Sequence, residues 1–295
     1  LTITATSTAQ TSDLLTIASS SGASMFSVSS KGVLELSSTT DPIAPSAVNQ
    51  LNLYSNSIAS RMVAKIKGSA GDDTPLQPSL WQNNVVMFTQ GAAAGVWQGT
   101  VGSNLGTAAI SLPAMTNLYT AQRKTTFASV VTTANQQVGT RSEAMFLRGA
   151  TAGMGGFFAA FRVGLSTWTA GDRLFVGFSS GTTAVCTVNP SSLANMAGFV
   201  IDAGDTAITF VHSTGAGSGV KDAISGQPAL ASNQGYDMYI YAAPNSSTIS
   251  WRIDDVLTGL SIAEGTASAT LPTNTTLLVA HACMSNGANT AVGAA

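Results

Sequence analysis

Tyr236-Asp237-Met238-Tyr239-Ile240-Tyr241-Ala242-Ala243-Pro244-Asn245-Ser246-Ser247-Thr248-Ile249-Ser250-Trp251-Arg252-Ile253-Asp254 is the stretch whose reading decides the fold. Ile249, Trp251 and Ile253 alternate with Thr248, Ser250 and Arg252, which is the period of a strand with one buried face. Tyr236, Met238 and Ile240 repeat the pattern against Asp237, Tyr239 and Tyr241, and Pro244-Asn245 supplies a turn between the two runs. Upstream, Phe157 to Val163 is apolar on both sides, which predicts a central strand of a packed layer. Further runs occur at Asp172-Arg-Leu-Phe-Val-Gly-Phe178 and Ala207-Ile-Thr-Phe-Val-His212, and turns are marked by Gly171-Asp172, Gly204-Asp205 and Gly215 to Gly219. Short strands punctuated in this way predict an all-β chain built as an antiparallel β-sandwich.

Composition narrows the function classes. Charged residues are 9% of the 295-residue chain, against a usual value of about 25%. The surface must therefore be made largely of Ser, Thr, Asn, Gln and Gly. A net charge of −2 provides no basic footprint, so no nucleic-acid partner is expected. No apolar run approaches the length of a membrane-crossing helix, so no membrane insertion is expected either. The chain opens on Leu1 and ends on Gly293-Ala294-Ala295, and the expectation is a part of a longer polypeptide. Cys186 and Cys283 lie far apart in sequence; they either pair across a sandwich or are two small buried residues.

Three regions follow in order. Residues 1–40 hold short β-runs at Leu15-Ile17, Phe26-Val28 and Val33-Leu36, with Gly22 and Gly32 at turns. They have too few apolar residues to close a core alone, so a thin β-rich stalk of intertwined chains is expected. Residues 41–80 form a connector with four prolines, which exclude a continuous helix, around a hairpin at Leu51-Ser55 and Arg61-Ile66. Asp72-Asp73 lacks calcium-loop spacing and reads as a turn. Residues 81–295 form the head. Strands are expected there at Val85-Phe88, Thr125-Val130, Glu143-Arg148 and, last, the inner run ending Leu271-Val279, with a short helix over Pro190-Met196 capped by Asn189.

Few residues of the chain stand in a pattern that carries chemistry. His212 and His281 are the sole histidines and stand in no metal-ligand spacing, and no nucleophile elbow is present. Gly215-Ala-Gly-Ser-Gly-Val-Lys-Asp222 lacks the Lys-Ser/Thr of a phosphate loop and reads as a hairpin tip. Asp202, Asp205, Asp254 and Asp255 read as turn residues. No catalytic residue, cofactor site or metal site is predicted. For a glycan, aromatic platforms are the usual tool. Trp168, Tyr241, Trp97 and Tyr119 are the candidate contacts, Trp168 balanced between a loop platform and the core, while Trp251 is assigned to the core.

Asp13-Leu14-Leu15-Thr16-Ile17, Gly22, Phe26-Ser27-Val28 and Gly32 together resemble the short β-repeat in the shafts of bacteriophage tail fibres. Ser46 to Tyr54 and Gly71 to Gln77 look like the neck of phage fibre-like structural proteins. The strand order of the head is similar to theirs and, more loosely, to jelly-roll or concanavalin-like lectin and glucanase sandwiches. The resemblance implies a homotrimeric fibre subunit on the virion exterior, assembled in the host cytoplasm. Its partners would be other tail or capsid proteins, and its work host attachment, with surface polysaccharide as the candidate ligand. A head or collar fibre is the second expectation. Glucanases of that fold carry Glu-x-Asp-x-x-Glu, and none of Glu35, Glu143 and Glu264 stands in that motif. The chain is therefore expected not to be an enzyme; a polysaccharide-degrading enzyme and a secreted bacterial adhesin are the readings from other classes.

Overall fold

The computed structural model describes residues 15–18, 20–22, 24–28, 34–36, 51–68, 73–75, 96–97, 100–101, 103–105, 108–111, 114, 116–122, 124–129, 133–142, 146–151, 155–183 and 185–288. The expected strand at Val85-Phe88 lies outside them. The chain divides into two compact units, Leu1–Pro78 and Ser79–Ala295.

In the first unit, β1 (Leu15–Ala18), β2 (Ser24–Val28) and β3 (Leu34–Leu36) form an antiparallel meander. Next, β4 (Leu51–Ile58), β5 (Arg61–Gly68) and β6 (Asp73–Pro75) form a second one. Asp73 thus opens a strand, and Asp72 lies outside the described residues. Ala59 and Ser60 join β4 to β5 with φ of 48° and 62°. Positive φ at both central residues gives the turn whose twist matches that of the flanking strands. The Ser55 hydroxyl donates to the Leu36 carbonyl at 3.0 Å, tying the two meanders within this unit. Several apolar side chains stay in solvent: Leu15 is 36% exposed, Ile17 53%, Leu53 49% and Met62 45%.

The second unit begins with β7 (Val96–Trp97), β8 (Thr100–Val101), β9 (Ser103–Leu105) and β10 (Ala108–Ser111). A single helical turn, α1 (Leu118–Ala121), stands between β10 and its partner β11 (Lys124–Phe127). Asn117 caps α1 by accepting from the Thr120 N–H at 2.8 Å, while the Thr120 hydroxyl accepts from the Asn117 N–H at 3.0 Å. The remaining strands are β12 (Gln137–Arg141), β13 (Phe157–Leu165), β14 (Arg173–Ser179), β15 (Met196–Ile201), β16 (Thr209–Ser213), β17 (Val220–Ala223), β18 (Gln234–Ala242), β19 (Ile249–Asp255), β20 (Ser261–Ala267) and β21 (Val279–Ser285). They make two antiparallel sheets, a seven-stranded one ordered β17-β16-β15-β14-β21-β12-β9 and a four-stranded one ordered β13-β18-β19-β20. The fold is an all-β antiparallel sandwich.

Its core lies between the sheets. Phe178 of β14 meets Phe157 of β13 with ring centroids 4.3 Å apart and Phe146 at 5.0 Å. Trp251 of β19 stacks on Phe210 of β16 at 5.3 Å and stands edge-on to Phe199 of β15 at 6.1 Å. Gly265 faces Trp251 across the sheet, and a Cβ there would sit 2.6 Å from the indole. Each buried aromatic removes apolar surface worth about 2 kcal/mol from water.

Four expectations change. β13 stands at the edge of the four-stranded sheet, with β18 as its one strand neighbour among the described residues, and its Phe158 and Ala160 turn away from the core. The strands apolar on both faces are β14 and β15, whose far side packs a second cluster of Phe175, Val185, Cys186, Met196, Val200, Val211 and Cys283 beneath residues 180–195. The helix expected over Pro190-Met196 is one 3-10 turn, Pro190–Ser192, and Met196 starts β15. The Asn189 side chain caps nothing there, since its Oδ1 accepts from Arg173 and Ala203 instead. The last inner strand runs Val279–Ser285, beginning where the apolar run ends; of the strand expected at Glu143-Arg148, residues 143–145 lie outside the described residues and Phe146 bridges Leu278.

Cys186 and Cys283 form a disulfide across 97 residues, which settles the open alternative in favour of pairing. It joins the 180–195 segment to β21, helped by Ser285 Oγ, which donates to the Cys186 carbonyl at 2.7 Å. His281, on the same face of β21, bonds the Gly181 carbonyl through Nε2 at 2.9 Å, and burial pushes its imidazole down to about 4.

Two outcomes follow for stability. Closing a loop of this length contributes about 5 kcal/mol, so reduction should lower the guanidinium unfolding midpoint markedly; an unchanged midpoint with two titratable thiols would refute the clamp. A histidine held neutral binds fewer protons folded than unfolded. Its contribution, about 3 kcal/mol at most, is complete above pH about 6.5 and is lost as pH falls toward 4. The pH-stability curve of His281→Gln should be flatter through that window than that of the native chain.

Candidate functional site

Alternation sends half of every strand in the four-stranded sheet to its outer face. Register then sets those residues in rows. Phe158, Tyr241, Ser250 and Thr266 form the first row; Ala160, Tyr239, Arg252 and Glu264 the second; Arg162, Asp237, Asp254 and Ser261 the third. A fourth row holds only Gly164 and Gly235.

The first two rows make an aromatic patch. Phe158 lies 6.4 Å from Tyr239 with rings 29° apart, and 6.2 Å from Tyr241. All three rings are half-buried, and Ser250 and Thr266 extend the patch with hydroxyls 3.2 Å apart. Beside it lie the charges. Arg162 grips Asp237 with two parallel bonds, Nε to Oδ1 at 2.7 Å and Nη2 to Oδ2 at 2.6 Å. Arg252 donates from Nε to Asp254 Oδ1 at 2.7 Å and faces Glu264 across β20. Desolvation raises the Asp254 carboxyl above its ordinary value, against the lowering effect of Arg252. Burial, with Asp237 and Asp254 nearby, raises the Tyr239 hydroxyl as well, so it stays a neutral donor.

The glycine row is filled from α1. The Tyr119 ring lies over Gly164 and Gly235, where an added Cβ would sit 2.0 Å and 2.7 Å from it. Its hydroxyl meets Ser166 Oγ at 2.8 Å, and Lys124 Nζ stands 4.4 Å from the ring centroid. Tyr119 is 5% exposed and serves as packing at the end of the face rather than as a surface platform.

Of the other candidate contacts, Tyr241 stands on the face. Trp168 is half-buried against the core between the sheets, and its backbone N–H donates to Ser232 Oγ at 2.9 Å. Trp97 falls on β7, and its side chain lies outside what the structure describes. Trp251 is buried in the core. Asp202 and Asp205 share a turn and both pair with Lys221 Nζ at 2.7 Å, and Asp255 accepts from the Leu257 N–H and the Thr258 hydroxyl in the next turn. Gly215 to Gly219 lie in the β16–β17 connection. His212 bonds the Thr270 carbonyl and Asp222. Asp254 alone of the four aspartates departs from a turn role.

Sequence reading missed Phe158, Tyr239, Arg162, Asp237, Arg252 and Glu264. The signal for Tyr239 and Asp237 was present, since both share Tyr241's face in the alternation. Arg162 joins only through register with β18, a strand distant in sequence, and Glu264 through the register of the neighbouring β19–β20 pair.

Among the described residues no group of three or more His, Cys, Asp or Glu could hold a metal ion, and no helix is long and apolar enough to cross a membrane. No family model matches the chain, and no curated protein matches it. Among solved structures it is similar to the enzymatically active domain of tailspike protein 2 of bacteriophage CBA120, at 16% identity over 69% of this chain, with a TM-score of 0.36. It is also similar to peanut lectin, at 12% identity over 66% of this chain and 93% of the lectin, TM-score 0.35. A third is the CBM2 module of the evolved Dit of Lactobacillus casei BL23 phage J-1, at 12% identity over 74% of this chain and 87% of the module, TM-score 0.33. The chain spans 27% of the length of that tailspike structure.

Proposed function

We propose that the chain is a phage tail-associated structural protein, a tail-fibre-type subunit that attaches to the host surface by recognising a glycan, without chemistry, on the outer face of the four-stranded sheet. The observation that carries this reading is the composition of that face. Flat rings of Phe158, Tyr239 and Tyr241 lie beside hydroxyls and beside aspartates already held by arginines. Rings take the apolar face of a sugar, and fixed polar groups take its hydroxyls. A carboxylate bound to a guanidinium is poorly placed to donate or accept a proton in a reaction. The tail-fibre-like repeat of Asp13 to Gly32 supports the location.

One observation favours a second reading. Asp254 has a raised carboxyl and shares the face with Asp237 and Glu264, as a general acid of a polysaccharide-degrading enzyme would.

Tyr241→Ala should weaken binding of the labelled chain to host cells about tenfold, the scale of one contact of about 1.4 kcal/mol, while Tyr241→Phe retains most of it. Purified chain incubated with the cells' polysaccharide should release no reducing ends. Release that Asp254→Asn abolishes would replace attachment with hydrolysis.

The exposed Leu15, Ile17, Leu53 and Met62 favour self-association of the first unit, since neighbouring copies would bury them. Light scattering should give the mass of a trimer for the full chain and of a monomer when residues 1–40 are removed. A monomer in both cases would refute the fibre subunit.

A further inference from the structure

We infer that the ligand of this face is an uncharged polysaccharide and that the face selects against anionic ones; this rests on the attachment reading above. Among the described residues of the outer face, the two guanidinium groups of Arg162 and Arg252 stand against the three carboxylates of Asp237, Asp254 and Glu264. With all of them ionised, the four strands carry one net negative charge on this face, and a further cation, Lys124 of β11, stands beside the Tyr119 ring at its glycine end.

The pairing within it matters more than the sum. Arg162 spends its Nε and one Nη on Asp237 in a planar fork, the same geometry an incoming uronate or phosphate would need. Arg252 is buried and stands between two carboxylates, Asp254 through a hydrogen bond and Glu264 across the strand pair. An anionic sugar would have to displace one of these carboxylates or accept its repulsion. Glu264 is exposed on the edge strand β20, where it interacts electrostatically with Arg252 while its carboxylate stays open to whatever binds there. A neutral chain meets none of these penalties. Its hydroxyls find carboxylate and hydroxyl acceptors, and its apolar faces find the rings of Phe158 and Tyr241.

The test is an array of structurally defined bacterial surface polysaccharides, part neutral and part carrying carboxylate or phosphate, probed with the full chain at low and high salt. The chain should bind neutral probes with affinity that salt leaves unchanged. Glu264→Lys, which makes the face net positive, should keep that binding and gain about tenfold on anionic probes at low salt; a thermal melt of the variant checks its fold. Native binding confined to anionic probes, and weakened by salt, would overturn the charge selection while leaving attachment standing. Binding to no probe at all would overturn attachment itself.

Discussion

Period-two alternation in β18 and β19 is the constraint on which the rest of the second unit depends. The same backbone geometry that turns Tyr236, Met238, Ile240, Ile249, Trp251 and Ile253 into the core turns Asp237, Tyr239, Tyr241, Ser250, Arg252 and Asp254 out of it. A slip of one residue would drive Arg252 and Asp254 against Phe199 and Phe210 and bring Trp251 into solvent. Hydrophobic burial therefore sets the register, and register in turn composes the candidate site. Core and site are two consequences of one pairing.

The seven-stranded sheet solves a different problem. Its β14 and β15 are apolar on both faces, so the far face needs a cover, and among the described residues no second sheet supplies one. Residues 180–195 do the work with little regular structure of their own, held by the Cys186–Cys283 bond, by Gln137, which accepts from the Cys186 N–H at 2.6 Å, and by Ser213 Oγ, which donates to the Leu193 carbonyl at 2.6 Å. Side chains of the sheet thus satisfy backbone groups of the cover, as a buried irregular segment requires. His281 belongs to this arrangement, and its burial beneath the cover keeps the ring neutral.

On the outer face of the smaller sheet, the proposal of recognition over chemistry rests on electrostatics. Three carboxylates on one surface could serve hydrolysis, and Asp254 has the raised carboxyl that a proton donor needs. Yet Asp237 is clamped bidentately, Asp254 is held by Arg252, and Phe158, Tyr239 and Tyr241 occupy the neighbouring rows. Groups already neutralised by fixed partners shape and orient a ligand better than they transfer protons, and on this the proposal of recognition rests.

By itself the sequence determined what is local. Alternation located β18 and β19, Gly-Asp and Pro-Asn pairs located turns, and the paired apolar runs of residues 51–66 located a hairpin, because each signal depends on the geometry of a few consecutive residues. The placement of Trp251 in the core was legible for the same reason. Tertiary structure alone decided which strands became neighbours. It made β13 an edge although its residues are apolar on both sides, joined two cysteines 97 residues apart, and set Arg162 against Asp237. It also laid Tyr119 over Gly164 and Gly235, turning a candidate platform into packing. These contacts follow from pairing between distant strands, which the summed burial of two facing sheets selects and no short stretch of sequence encodes.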